Sequence, residues 1–134
     1  MKNIYSKTNI IELSDKDFNN KLLVSDKFKN KNGLIKFYAP WCPHCKDMKS
    51  DLIFLSNNLS KYGFIIGVIN TDHNKDLVDK FNISGIPKLF LVDTKGNLKS
   101  LDTEDNSIEN LLKNICKFTK RCCKKQNNKI ICEN

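Results

Sequence analysis

The sequence predicts an α/β fold, a mixed β-sheet with helices on both faces. Three observations predict it. The runs Leu34–Ala39, Phe64–Ile69 and Lys88–Asp93 are near-continuous in apolar residues, as strands covered on both faces are. Stretches with apolar residues at helical spacing follow them: Met48, Leu52, Leu55 and Leu59, then Leu77, Val78 and Phe81, then Ile108, Leu111, Leu112, Ile115 and Cys116. Cys42 and Cys45 stand where the first of these strands gives way to the first of these helices, the setting in which a C-x-x-C pair reads as a redox site.

Taken in order, Ile10–Leu13 predicts a short opening strand. Ser14 is a helix cap, with Asp17 completing a capping box, so the spacing of Phe18, Leu22 and Leu23 predicts a helix there. Asp26 to Asn32 is polar and reads as a loop before Gly33. Leu34–Ala39 is the central strand, with Lys36 as a misfit inside it. The Met48–Leu59 stripe gives a core-facing helix that Gly63 ends. After Lys88–Asp93, Thr94-Lys95-Gly96-Asn97 is a turn signal, and Leu98 to Leu101 returns as an antiparallel edge. Ser107 caps the last helix. Beyond Lys117 the pattern degrades into a basic segment that reads as a solvated tail. The expected organisation is therefore one domain over residues 1–118 and a cysteine-rich carboxyl-terminal tail over 119–134.

The chain has 134 residues, 40% of them apolar and 28% charged, enough for one domain with a genuine core. Its net charge of +8 comes from lysine, with Arg121 as the single arginine. These lysines are spread along the chain, and the residue best suited to gripping phosphate in two places is nearly absent, so nucleic acid is not the expected partner. No run of about 18 apolar residues is present, so no membrane span is expected. Residues 1–18 hold no apolar stretch of secretory-signal length, which predicts a cytoplasmic protein, or an oxidising compartment if a leader has been removed. Six cysteines sit uneasily with the cytoplasm, where lasting disulfides are uncommon.

The chemistry concentrates at Trp41-Cys42-Pro43-His44-Cys45-Lys46. A thiolate at Cys42, at the start of a helix, gains from unpaired N–H groups and the helix dipole. Pro43 suits the first helical position, where a missing N–H costs little. A protonated His44 adds positive charge beside the sulfur. The thiolate is the attacking species in disulfide exchange.

The stretch Phe37-Tyr38-Ala39-Pro40-Trp41-Cys42-Pro43-His44-Cys45-Lys46, followed downstream by Gly85-Ile86-Pro87 before a strand, resembles the thioredoxin-fold family. It is most similar to a catalytic domain of the protein disulfide isomerases. The resemblance covers roughly residues 8–118. It implies a thioredoxin fold, a central mixed sheet flanked by helices, here with a cysteine-rich carboxyl-terminal extension. It also implies roles. Cys42 is the exposed nucleophile that forms the mixed disulfide, and Cys45 is the buried resolving thiol. Pro87, cis after Ile86, shapes the substrate groove. Ile86 offers its backbone to an extended client segment, and Trp41 flanks the sulfur.

Two departures from the family pattern bear on chemistry. Pro-His between the cysteines, as in bacterial periplasmic disulfide oxidases, favours the reduced thiolate form and makes the disulfide a stronger oxidant. Lys36 stands where the family usually carries a buried carboxylate that exchanges a proton with the resolving cysteine. A buried charged lysine is costly, so it is either neutral or reaches water with its tip, and as a charge it would depress the thiol pKa.

Cys116, Cys122, Cys123 and Cys132 leave three alternatives open: structural disulfides such as Cys116 or Cys122 to Cys132, a relay exchanging with Cys42–Cys45, or a four-thiolate zinc site. The adjacency of Cys122 and Cys123 makes the zinc geometry awkward, and no metal is expected. The expected activity is thiol–disulfide exchange with cysteine-containing client proteins, in the oxidase or isomerase direction. A thioredoxin-like reductase and a non-catalytic module presenting the tail are the alternatives. No flavin or nucleotide fingerprint is visible, so no cofactor is expected, and electrons pass through a separate thiol oxidase or reductase partner. A monomer is expected.

Overall fold

The computed structural model describes residues 5, 7–102 and 105–133. The chain opens with β1 (Ile11–Leu13), then a single 3-10 turn at Asp15–Asp17. Here the expectation of a helix fails. Ser14 and Asp17 do form a capping box, the Ser14 amide donating to Asp17 Oδ2 at 2.9 Å. The chain then makes a small hairpin, β2 (Phe18–Asn19) against β3 (Leu22–Leu23). Asn20 takes a left-handed φ of 55°, the conformation a two-residue hairpin loop demands. That turn places Phe18 opposite Leu23, and both are buried. Their side chains meet across a ladder rather than along a helix face.

Next come β4 (Gly33–Tyr38), buried at all six positions, α1 (Pro43–Asp47) and α2 (Lys49–Leu59). The remainder is β5 (Ile65–Asn70), α3 (Lys75–Lys80), β6 (Lys88–Val92), β7 (Leu98–Ser100) and α4 (Ile108–Thr119). A second hairpin, β8 (Cys123–Gln126) and β9 (Lys129–Cys132), closes the chain. The main sheet runs β1-β5-β4-β6-β7, with β1, β5 and β4 parallel and β6 and β7 antiparallel. Gly96, at φ 91°, makes the β6–β7 turn, and its carbonyl accepts from the Leu23 amide at 2.9 Å, tying the small hairpin to the sheet.

Strand alternation divides β4 between two cores. Leu34 and Tyr38 point to one core, built with Leu52, Leu55 and Leu59 of α2 and Leu111, Leu112 and Ile115 of α4. Ile35 and Phe37 point to the other, built with Phe18, Leu23, Phe28, Leu77 and Phe90. Helices therefore cover both faces, as the buried parallel strands require. Lys36 shares the face of Leu34 and Tyr38, so its position on the strand commits it to the first core.

The segment after Lys117 departs from the expected solvated tail. Asn127 takes φ 56° in the loop between β8 and β9. Ile130 is fully buried in the first core, its amide donating to Asn58 Oδ1 at 3.3 Å. The sulfurs pair as Cys116–Cys122 and Cys123–Cys132, not as Cys116 or Cys122 to Cys132. The register explains this: Cys123 and Cys132 lie directly opposite on the ladder, 3.9 Å apart at Cα. All four sulfurs are held in disulfides, not offered as thiolates to a metal.

Candidate active site

The site forms where β4 ends and α1 begins. Cys42 is the cap of α1, and Pro43 occupies its first turn. The Cys42–Cys45 disulfide spans 5.2 Å at Cα. The Cys45 amide donates to Cys42 Sγ at 3.2 Å, so a backbone donor is already directed at the sulfur that would carry negative charge. The Ile86–Pro87 peptide is cis, as the resemblance implies, and the Ile86 carbonyl oxygen lies 3.8 Å from Cys42 Sγ. That contact corrects the expectation of an exposed nucleophile. In the disulfide form Cys42 is only 3% accessible and Cys45 not at all, because the loop before β6 lies against the sulfur.

Trp41 is 64% exposed beside the pair. Its indole Nε1 donates to both Asp72 carboxylate oxygens, at 3.0 and 3.3 Å. Asp72 follows β5, whose parallel pairing with β4 brings the two strand ends together. Its amide donates to Asn70 Oδ1 at 2.9 Å. Asp72 thus fixes the ring that flanks the redox pair, a role its own sequence neighbourhood does not announce. His44 extends into solvent, 84% exposed, with Nδ1 4.0 Å from Asp47 Oδ2.

Lys36 does not reach water. It is completely buried, which removes the snorkelling alternative. Its Nζ donates to the Tyr5 hydroxyl, and to the Cys45 carbonyl at 2.7 Å, and lies 5.2 Å from the Tyr5 ring centre. Burial lowers its pKa to about 8. Among the described residues no carboxylate pairs with it. Tyr5 and Tyr38 meet edge to face at 5.5 Å, and the Tyr38 hydroxyl donates to Glu12 Oε2 at 3.0 Å. Burial raises the pKa of both phenols, and for Tyr38 the neighbouring Glu12 charge adds to the rise.

A family model described as Thioredoxin matches residues 9–117. The chain belongs to the thioredoxin family. The thioredoxin domain also has relatives among larger proteins. It is 40% identical over 88 residues to an inferred protein disulfide-isomerase of Dictyostelium discoideum, covering 65% of this chain and 20% of that protein. It is 35% identical over 85 residues to protein disulfide-isomerase 1 of the same organism, covering 61% and 22%. It is 35% identical over 96 residues to protein disulfide isomerase-like 2-2 of Oryza sativa subsp. japonica, covering 71% and 25%. The chain thus spans about a fifth to a quarter of these relatives' length.

The predicted residues Trp41, Cys42, His44, Cys45, Ile86 and Pro87 all come to one end of the sheet, and Lys36 lies beneath them. Cys116, Cys122, Cys123 and Cys132 do not join them; they lock the carboxyl-terminal hairpin to α4. Sequence reasoning missed Tyr5 and Asp72. A lone tyrosine near the amino terminus carries no periodic signal. Asp72 had one available: ligand-contacting residues gather beyond the carboxyl ends of parallel strands. A cysteine pair at disulfide distance in this fold is the equipment of a thiol–disulfide oxidoreductase. No helix among the described residues is long and apolar enough to cross a membrane.

Proposed function

We propose that this thioredoxin domain is a thiol–disulfide oxidoreductase that works in the disulfide-donating direction, as an oxidase or isomerase of cysteine-containing proteins. The carrying observation is the setting of the Cys42–Cys45 disulfide. A backbone amide directed at Cys42 Sγ and a buried Lys36 at the Cys45 carbonyl both favour the reduced, thiolate-bearing form. Stabilising the reduced form makes the disulfide a better donor.

In this reading a client thiolate attacks Cys42 Sγ, and the Cys42–Cys45 bond breaks with its electron pair on Cys45. A second client thiolate then attacks the client sulfur of the mixed disulfide, which releases Cys42 and leaves the client oxidised. Trp41 and the Ile86–Pro87 loop form the two walls between which the client's cysteine approaches, and the Ile86 carbonyl lies 3.8 Å from the sulfur. His44 supplies positive charge from the solvent side when protonated. Lys36 lowers the thiol pKa from within. The names of the matched disulfide-isomerases support the direction. The two disulfides outside the redox pair support an oxidising working compartment over the cytoplasm.

The reduction potential of Cys42–Cys45 against glutathione tests this reading, followed through Trp41, the single tryptophan. A value near about −180 mV or higher is expected. A value near about −270 mV would instead mark a reductase. Cys42→Ser is expected to abolish both refolding of a reduced disulfide protein and reduction of insulin. Retained activity in that variant would move the function to the hairpin.

A further inference from the structure

We propose that the groove between α4 and the closing hairpin is a second thiol–disulfide exchange site, in which an anionic low-molecular-mass thiol of the glutathione class opens the Cys116–Cys122 disulfide. This goes beyond the reading of the Cys42–Cys45 pair and does not rest on it. A glutathione thiolate attacks Cys116 Sγ, a bond forms between the two sulfurs, and the Cys116–Cys122 bond breaks with its electron pair on Cys122. A second glutathione thiolate attacks the glutathione sulfur of that mixed disulfide. Oxidised glutathione leaves, Cys116 is released as a thiolate, and solvent protonates both protein thiolates. One oxidised glutathione is made and one protein disulfide is reduced; oxidised glutathione runs the same steps backward.

The groove has a volume of about 540 Å³, within the range of small-molecule sites. Leu112, Cys116, Cys122 and Cys123 give it apolar and sulfur-bearing walls. Lys113 and Lys117 line it from α4, and Lys124 and Lys125 from β8, against one carboxylate, Glu109. Lys113, Cys116 and Lys117 share a face of the helix because they stand three and four residues apart. Glutathione brings two carboxylates and one sulfur to four ammonium groups around a disulfide. Positive charge beside the sulfurs also favours the thiolates that exchange produces.

Of the two disulfides in this region, Cys116–Cys122 is the one open to attack. Cys123 and Cys132 pack against the first core and lie directly opposite on a ladder, which holds the sulfurs together for reclosure if the bond opens. Cys116 and Cys122 are part-exposed, and Cys122 precedes the ladder. An accessible disulfide is the more readily reduced. Cys116 stands in the last turn of α4, where the helix dipole disfavours a thiolate, so the electron pair leaves on Cys122.

This disulfide needs a thiol partner of its own, because the redox pair is out of reach. Cys42 and Cys45 lie beyond the carboxyl end of β4. Cys123 shares a second cavity with Asn30, Lys31 and Asn32, which precede the amino end of that strand. Six residues of strand, about 20 Å, separate the two ends. A relay between them within one molecule is therefore excluded.

The experiment exposes the full chain to reduced glutathione at pH 7, quenches with iodoacetamide at intervals and scores tryptic peptides by mass. Cys116 and Cys132 fall on different peptides, so each disulfide is read separately. Cys116 is expected to be released about ten-fold faster than Cys132. Glutathione diethyl ester, the same thiol with its carboxylates capped, is expected to release Cys116 about three- to ten-fold more slowly at equal thiolate concentration. Lys117→Gln with Lys124→Gln is expected to erase most of that preference. Lys21→Gln with Lys80→Gln makes the same change in net charge beside the second core, and is expected to keep it. Near-UV circular dichroism checks that each variant folds. In Cys42→Ser, which lacks the nucleophile of the redox pair, release of Cys116 by glutathione is expected to persist.

A Cys116–Cys122 bond that stays closed in excess glutathione overturns the proposal. So does release of Cys132 as fast as Cys116, equal rates with glutathione and its ester, or an equal loss of preference in the two lysine pairs. Loss of Cys116 release in Cys42→Ser overturns it as well, because the redox pair of another molecule would then be opening the bond.

Discussion

Lys36 shows how one residue can tie stability to pH. Its pKa falls from 10.5 to about 8 on burial, so the folded protein carries a buried ammonium at pH 7 that the unfolded chain holds in water. A lowered lysine pKa costs stability below the folded value. That cost shrinks as pH rises from 8 and is gone above 10.5. The linkage amounts to about 3 kcal/mol across this window. Urea unfolding of wild type and Lys36→Met at pH 7 and pH 10 checks it: the stability of wild type relative to the variant is expected to rise toward high pH. Comparing the two proteins cancels the tyrosines, which titrate in both. A difference independent of pH would mean that the amine is solvated. Lys36 was legible in the sequence as a misfit, because a charge in an apolar strand is visible on inspection. Its partner was not, since Tyr5 lies 31 residues away in a segment with no pattern. Trp41 and Asp72 repeat the lesson, joined by the parallel pairing of β4 and β5 rather than by nearness in sequence.

Among the elements, β4, β5, β6 and α4 were legible because each carries a full hydrophobic signature over five or more residues. The segment from Ser14 to Leu23 was not. A capping box and three apolar residues fit a helix, but Asn20 reverses the chain, and two-residue strands are too short for alternation to show. The closing hairpin was obscured for a different reason. Its ladder is mostly lysine and cysteine, and Ile130 is the one side chain of it that is fully buried in the core. Ile130→Ala is therefore expected to cost about 2–4 kcal/mol in chemical denaturation. Asn58→Ala, which removes the acceptor of the Ile130 amide and the donor to the Phe54 carbonyl but no buried apolar bulk, should cost about 1–2 kcal/mol. An effect of Ile130→Ala below about 0.5 kcal/mol would mean that the disulfides alone hold the hairpin in place.

For the molecule as a whole, two cores on one sheet place the redox pair at the end where parallel strands finish, over a buried cation. The net charge of +8 surrounds it. Such a field draws anions and repels cations at distances set by salt. The oxidised protein is accordingly expected to react faster with glutathione, whose thiolate form is anionic, than with cysteamine, whose thiolate form carries no net charge, after correction for thiolate. The ratio is expected to fall several-fold between about 10 mM and about 150 mM salt. A ratio insensitive to salt would show that the lysines lie too far from Cys42 to steer its partners. The closing hairpin bears on the molecule's other state. Cys116–Cys122 and Cys123–Cys132 close loops of only 6 and 9 residues in sequence separation. Neither bond depends on the sheet, so both survive when the cores come apart. The denatured ensemble is then not a free coil along its last stretch but carries a knotted-down end with the native pairing already made, and the chain begins refolding with that end in register.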